Sequence, residues 1–415
     1  MKTAGIIAEY NPFHNGHQRQ LSFVREQLGA DYIIAVMSGD FVQRGTPALL
    51  PKHVRAEAAL RCGVDLVLEL PVSASGASAE LFARCGVDIL DGIGVTDVLC
   101  FGSEEGEIPL FLKTAEILQA EPETYRKLLK GGLKSGLSFP LARSMALSAY
   151  MYQEEMISDH DAYDQFLTEP NNILGIEYCK ALLHRKSRIR PVTLKRIGAG
   201  YHEQALIKET APSASGIRSW LKGNRAGHFT GTALNGFLPE ASLKLLISSQ
   251  QNNSLVFEKD LDLLLAYCLF SETQESLCQY LDVSSELASR IIRMRNQYSG
   301  FLQFAALLKT KELTQTRIQR ALLHILLHIR SVPDVPGYAR VLGFRKSAAP
   351  LLSAIKREGN IPLITKAADA SRILSGQALR AFDETVFASN IYGTLLSAKN
   401  KKPFVHEYQK PVVII

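Results

Sequence analysis

The sequence predicts an α/β protein: a Rossmann-like, doubly wound parallel sheet in the first half, followed by a mainly helical C-terminal domain. Three observations carry that expectation. Segments rich in Ile, Val and Leu alternate with helical ones through the first half of the chain. Near Asn224 the alternation stops and helical periodicity takes over. The 415 residues also exceed the roughly 250–300 that one hydrophobic core supports. The expected division is therefore 1–223 and 224–415.

Strands are expected at Gly5–Glu9, Tyr32–Met37, Asp65–Leu70, Asp97–Phe101 and Arg190–Lys195. Three of these show little polar alternation, as strands covered on both faces do. Helical stretches at His17–Leu28, Lys52–Cys62, Ser78–Leu90 and Glu107–Leu118 lie between them, which implies βαβ units. A largely helical insertion, about Glu121–Asp159, precedes the last strand. The Gly-rich run GNRAGHFTGTALNGFLP reads as a linker. Beyond it, helices are expected at Leu243–Leu246, Leu255–Phe270, Ser285–Arg295 and Thr314–Ile329. Short strands at Ile361–Thr365 and Val412–Ile415 would make the second domain α+β.

Composition excludes several classes. With 46% hydrophobic and 21% charged residues, the chain is not mostly disordered. No apolar run approaches the roughly 18–20 residues that cross a bilayer. The N-terminal MKTAGIIAEYNPFHNGH has neither a long apolar region nor a small-residue cleavage site, so no signal peptide is expected. The expected location is the cytosol, with no membrane partner. Cys62, Cys85, Cys100, Cys179, Cys268 and Cys278 are scattered without a C-x-x-C pair, so free thiols are expected rather than zinc or disulfides.

The most informative segment is Glu9-Tyr10-Asn11-Pro12-Phe13-His14-Asn15-Gly16-His17, between the first strand and the first helix. A helix N-terminus presents unpaired N–H groups and about half a positive charge, which suits an anion. Gly16 leaves room for a phosphate to approach the backbone. His14 and His17, three apart, can both donate to that anion, each charge-assisted bond being worth roughly 1.5–3 kcal/mol. An H-x-x-H pair alone would also suit a turn with two solvated histidines.

The segment resembles the H-x-G-H signature of the nucleotidyltransferase superfamily, which includes class I aminoacyl-tRNA synthetases and adenylyltransferases. The resemblance implies that His14 and His17 contact ATP phosphates and stabilise the transition state at the α-phosphorus. Ser213-Ala214-Ser215-Gly216-Ile217-Arg218 resembles the second superfamily signature, which serves the leaving pyrophosphate. That makes Arg218 a third catalytic candidate and places Ser213 and Ser215 at the nucleotide. Ser215 stands where Thr is common, and Ser213 is equally an ordinary helix N-cap.

Further segments narrow the match: Val36–Gly45 (VMSGDFVQRG), Phe101–Glu104, Pro170–Tyr178 (PNNILGIEY), Lys195-Arg196-Ile197, Tyr338–Phe344 (YARVLGF) and Ile361–Lys366 (IPLITK). Together and in this order they are similar to the bacterial tRNA(Met) cytidine acetate ligase family, over the whole length. The resemblance implies that acetate attacks ATP to give acetyl-adenylate, and that N4 of the wobble cytidine (C34) in elongator tRNA(Met) then takes the acetyl group. It also implies ATP contacts along Ile7, Ala8, Glu9, Tyr10, Asn11, Pro12, Phe13, His14, Asn15, Gly16, His17, Gln18, Arg19 and Gln20. Gly102, Asn171 or Asn172, Arg196 and Ile197 would complete the pocket. Asp40 and Glu104 are the carboxylates expected nearest the site, with neither assigned as a base. Mg²⁺ is expected to accompany ATP, without a metal site of the protein's own.

The net charge of +6 is unevenly spread. Arg290, Arg293, Arg295, Lys309, Lys311, Arg317, Arg320, Arg330, Arg340, Arg345 and Lys346 face only Glu312 and Asp334 in the same stretch, a local excess of +9. On the helix Thr314–Ile329, Arg317, Arg320, His324 and His328 fall in one stripe, which suggests a surface for tRNA phosphates. Two other readings share the signatures: an adenylyltransferase for a small phosphorylated metabolite, and a non-catalytic RNA-binding protein on a degenerate fold. The first leaves the basic stretch without a role, and the intact His14, Gly16, His17 and Arg218 oppose the second.

Overall fold

The computed structural model describes residues 1–196, 213–223 and 234–415. The expected linker falls largely on 224–233, outside the described residues.

The first half alternates as its sequence requires. Strands β1 (Thr3–Ala8) and β2 (Tyr32–Ser38) are joined through helix α1 (Asn15–Ser22) and a π-helical turn at Phe23–Gln27. A small hairpin of β3 (Phe41–Val42) and β4 (Thr46–Pro47) follows, then α2 (Lys52–Arg61) and β5 (Leu66–Leu70). Next come α3 (Val72–Ser75), α4 (Ala79–Gly92), β6 (Val98–Ser103) and α5 (Ile108–Ala120). The helical insertion expected over about Glu121–Asp159 contains α6 (Glu123–Lys134) and α7 (Phe139–Gln153), and the helices continue beyond it with α8 (His160–Thr168) and α9 (Pro170–Arg185), before β7 (Arg190–Lys195) and α10 (Ala214–Gly223).

Sheet order is β10-β8-β5-β2-β1-β6-β7, and the run from β5 to β7 is parallel. Period-two alternation divides the core into two layers. Ile7, Ile34, Val36, Leu66 and Leu68 pack beneath α4, α5 and α9, whereas Ala4, Ile6, Ile33, Ala35 and Val67 pack beneath α1 and α2. The strand order reverses between β1 and β6, so the crevice outside their carboxyl ends is where an open α/β sheet binds ligand.

The second half is helical but not self-contained. Helices α11 (Glu240–Gln251), α12 (Asp262–Ser271), α13 (Gln274–Leu277), α14 (Ser285–Met294), α15 (Phe301–Leu308) and α16 (Gln315–Leu326) precede strand β8 (Ala339–Phe344). Then come α17 (Ala349–Glu358), β9 (Leu363–Ile364), α18 (Ala370–Ile373), the 25-residue α19 (Gly376–Asn400) and β10 (Val413–Ile414). The short strands expected in an α+β second domain belong instead to the first sheet. β8 pairs antiparallel with β5, and β9 and β10 each pair with β8.

A buried ion network explains why β8 can carry a charge into that sheet. Arg340 of β8 contacts Glu69 at 2.7 Å and Glu407 at 2.6 Å. Lys52 Nζ lies 2.6 Å from Glu69 and 2.7 Å from Glu407, and donates to Ser389 Oγ at 2.7 Å. All four charged side chains are at most 4% exposed. Burying such charges is costly unless each is paired. The network thus ties the carboxyl end of β5 to the C-terminal tail. All six cysteines are free, with Cys85, Cys100 and Cys179 buried and Cys278 exposed.

Candidate active site

The turn after β1 is built to present two imidazoles. Tyr10 takes a left-handed backbone (φ 47°), and the Asn11–Pro12 peptide is cis. Asn11 Oδ1 accepts the Leu49 amide, and Ser242 Oγ donates to the Phe13 carbonyl. Arg55, fully buried in α2, donates to the carbonyls of Glu9, Ser38, Gly39 and Leu50. It knits together the loops that follow β1 and β2.

His14 is the N-cap of α1. Its Nδ1 accepts the Gly16 amide at 3.0 Å, while His17 Nδ1 accepts the His14 amide at 3.1 Å. The rings stack with centroids 3.8 Å apart. Since each Nδ1 is an acceptor, a neutral ring carries its proton on Nε2. Burial, helped by Arg196 and Arg218, lowers the His14 pKa from 6.5 to about 3. Burial, then His14 and Arg196, brings His17 well below the usual imidazole value. Two neutral imidazoles therefore offer two Nε2–H donors.

This differs from the arrangement expected from the sequence. The first amides of α1 are already used: Asn15 donates its amide to the Phe237 carbonyl, and Gly16 donates to His14. The imidazoles, not free backbone amides, are the donors on offer. Gly16 is required for a different reason as well, because a Cβ there would lie 2.7 Å from His14 Cε1.

Both histidines line a cavity of about 470 Å³ at the carboxyl ends of β1 and β6. From the expected set, Ile7, Ala8, Glu9, Tyr10, Asn11, Asn15, Gly16, Arg19, Gln20, Gly102, Asn171, Arg196, Ser213, Ser215 and Arg218 share this wall. Pro12, Phe13, Gln18 and Asn172 do not. Phe13 is buried under the turn, and Gln18 donates to the Cys62 carbonyl. Asn172 Oδ1 accepts the amides of Glu104 and Glu105, so Asn171 is the asparagine at the cavity. Ile197 lies outside the described residues.

Arg218 is placed by the two signatures together. It donates to the Asn11 carbonyl at 2.6 Å and to Ser215 Oγ at 3.3 Å. Ser213 Oγ accepts the Gly216 amide and so caps α10, as a serine at that position often does. Phe82, Phe101, Leu174, Tyr178 and Leu194 give the cavity an apolar portion, and Gln43 and Arg44 close it from the β3–β4 turn. These residues carry no isolated sequence signal, although Gln43, Arg44, Phe101, Leu174 and Tyr178 fall inside the motifs quoted above. Neither Asp40 nor Glu104 lines the wall. Asp40 Oδ1 accepts the Lys52 amide, and Glu104 is held by Asn171 and Asn172. Among the described residues, the carboxylate that lines the cavity is Glu9, whose Oε1 accepts the Gln43 amide.

The basic stretch divides on folding. Arg340 is in the buried network, and His324 is fully buried with its ring nitrogens 3.0 Å from the carbonyls of Leu281 and Gly76. Arg320 is mostly buried and lies 3.5 Å from Asp282. Of the expected stripe, Arg317 on α16 and His328, which lies beyond the helix with a left-handed backbone (φ 56°), remain at the surface. The physical reason is that α16 is enclosed on most sides, with Gln319 and His324 turned inward alongside its apolar residues. Arg293, Lys309, Lys311, Arg330 and Lys346 are also exposed.

The family model described as HIGH Nucleotidyl Transferase matches residues 1–407. The tRNA(Met) cytidine acetate ligase of Acetivibrio thermocellus is 38% identical over 400 residues, covering 94% of each chain. That of Clostridium tetani is 40% identical over 375 residues, covering 88% of this chain and 90% of its own. Thermotoga maritima TmcAL bound with alpha-thio ATP superposes with a TM-score of 0.90 at 31% identity, covering 100% of this chain and 99% of that one. The apo form of TmcAL gives a TM-score of 0.93.

Proposed function

Because the chain belongs to the tRNA(Met) cytidine acetate ligase family of HIGH nucleotidyltransferases, we propose that it acetylates N4 of the wobble cytidine in elongator tRNA(Met), using ATP and acetate. The observation that carries this reading is the pair of Nε2–H donors on His14 and His17, facing one cavity with Arg196 and Arg218.

In the first step an acetate oxygen attacks the α-phosphorus of ATP. The bond to the β-phosphate oxygen breaks and pyrophosphate leaves with the electron pair. Charge on the α-phosphoryl oxygens rises in the transition state, and the imidazole N–H groups stabilise it there. Being neutral and preorganised, they need no proton movement to do so. Arg196 and Arg218 neutralise the triphosphate. Mg²⁺ belongs to this reading as the counter-ion of ATP's phosphates, a mode that uses few protein groups. Among the described residues, no three His, Cys, Asp or Glu cluster as a metal site.

In the second step the N4 amine attacks the acetyl carbonyl of acetyl-adenylate. The new C–N bond replaces the C–O bond, AMP leaves with its electrons, and the amine loses a proton to water. Positioning dominates this step, and a well-aligned pair can gain roughly 7–11 kcal/mol.

The test is an omission series. ATP, acetate and tRNA together give AMP and acetylated RNA. Without RNA, acetate still drives exchange of pyrophosphate into ATP. If ATP is consumed without acetate, with AMP transferred to a phosphorylated metabolite, the reading is wrong.

A further inference from the structure

A second cavity, of about 600 Å³, opens beside the first, and the two share wall residues including Arg44, Asn171 and Arg218. Lys222, Thr316, Gln319 and Arg320 line the second cavity alone. Gly45, between the lining residues Arg44 and Thr46, is the seat for α16. Its φ is 73°, and a Cβ there would collide with the backbone of Gln319 and Arg320. The β3–β4 turn, carrying Gln43 and Arg44, therefore lies directly on α16. One wall of the reacting centre is thus fixed by the second half of the chain.

We infer that this second cavity receives the acceptor cytidine, splayed out of its loop, and delivers N4 to the acetyl-adenylate. The inference rests on the function proposed above. An amine attacks a carbonyl only from within roughly 3–3.5 Å. The acceptor base must therefore arrive through a space continuous with the nucleotide cavity, and a base cannot be reached while stacked in its loop. The volume lies within the roughly 300–1,000 Å³ of small-ligand pockets. The charge also fits. Arg44, Arg218 and Lys222 line it, with Lys222 3.2 Å from Glu258, the one carboxylate among the described lining residues, while Arg320 in the same wall is enclosed beside Asp282. A cationic wall suits the phosphates on either side of an extruded nucleotide. Gln319 and Thr316 supply the donors and acceptors with which a base edge can be read.

The two cavities make the two half-reactions separable. Thr316→Trp adds bulk to the second cavity from the first turn of α16, at a position outside the nucleotide wall. Acetate-dependent exchange of pyrophosphate into ATP should stay within about twofold of the parent, which also reports that the variant is folded. Acetyl transfer to tRNA should fall at least 20-fold. A second variant, Lys222→Gln, should leave exchange unchanged, raise the KM for tRNA several-fold and lower the salt slope of binding by about 1. Transfer that stays within twofold in Thr316→Trp overturns the inference, and so does a parallel loss of exchange and transfer. A parent enzyme that exchanges pyrophosphate but never acetylates RNA would instead remove the functional reading itself.

Discussion

His14 and His17 cap each other's backbone: Nδ1 of His14 accepts the Gly16 amide, and Nδ1 of His17 accepts the His14 amide. The reciprocal bonds fix both tautomers and aim both Nε2–H groups away from the helix. Replacing either histidine by Ala should lower acetate-dependent pyrophosphate exchange by about 10²–10³-fold, the loss typical of one preorganised donor to a developing oxyanion. Steady-state exchange, with a melting curve to show that the fold persists, checks this.

The same burial makes stability depend on pH. Below pH 6.5 the unfolded chain protonates His14, while the folded chain, with its value at about 3, does not. The unfolded state then binds more protons, so stability falls as pH falls from 6.5 towards 3, with a slope of about 1.4 kcal/mol per pH unit for that group. Glu407 is held low by Lys52, His53 and Arg340 despite its burial, so its contribution is lost only as pH falls below 4.5. Urea unfolding between pH 5 and 7 should therefore show the histidine slope, and His14→Ala should reduce it.

Glu407 is also the tail's anchor. Glu407→Ala leaves Lys52 and Arg340 sharing Glu69 in a buried site, with Asp40 4.0 Å from Lys52. Removing one partner from such a cluster costs about 3–5 kcal/mol. The expected result is a marked drop in the urea midpoint. An unchanged midpoint would show that the tail is not coupled to the sheet.

Surface charge should matter where it is at the surface. Arg317→Glu should weaken tRNA binding and reduce the salt slope by about 1 or more. Arg320→Ala and Arg340→Ala should act mainly on stability, since both side chains are enclosed. Binding measured at several salt concentrations, beside melting curves, separates the two effects.

These contrasts also show what the sequence makes legible. β1, β2 and β5 could be placed because strands buried on both faces must be continuously apolar. β8 could not: Arg340, its second residue, argues against a buried strand until Glu69 and Glu407 are found beside it. α19 escaped for a related reason: its buried stripe, from Ala381 to Leu395, includes Thr385, Ser389 and Gly393, while Phe387 lies on the exposed side. At the site, His14 and His17 were visible by spacing. Arg55 was not, because a lone arginine within a helix looks the same whether it is solvated or holds four carbonyls. On α16, periodicity located the helix correctly but could not say that its basic stripe partly faces inward.

The central claim is that acetate, activated on ATP, ends on N4 of one cytidine. Its most direct test is nucleoside mass spectrometry of elongator tRNA(Met) after incubation with the enzyme, ATP and carbon-labelled acetate. The account predicts labelled N4-acetylcytidine at the wobble position, dependent on both ATP and His17. Unmodified cytidine under conditions where ATP is consumed with acetate, or label at another nucleoside, would contradict it.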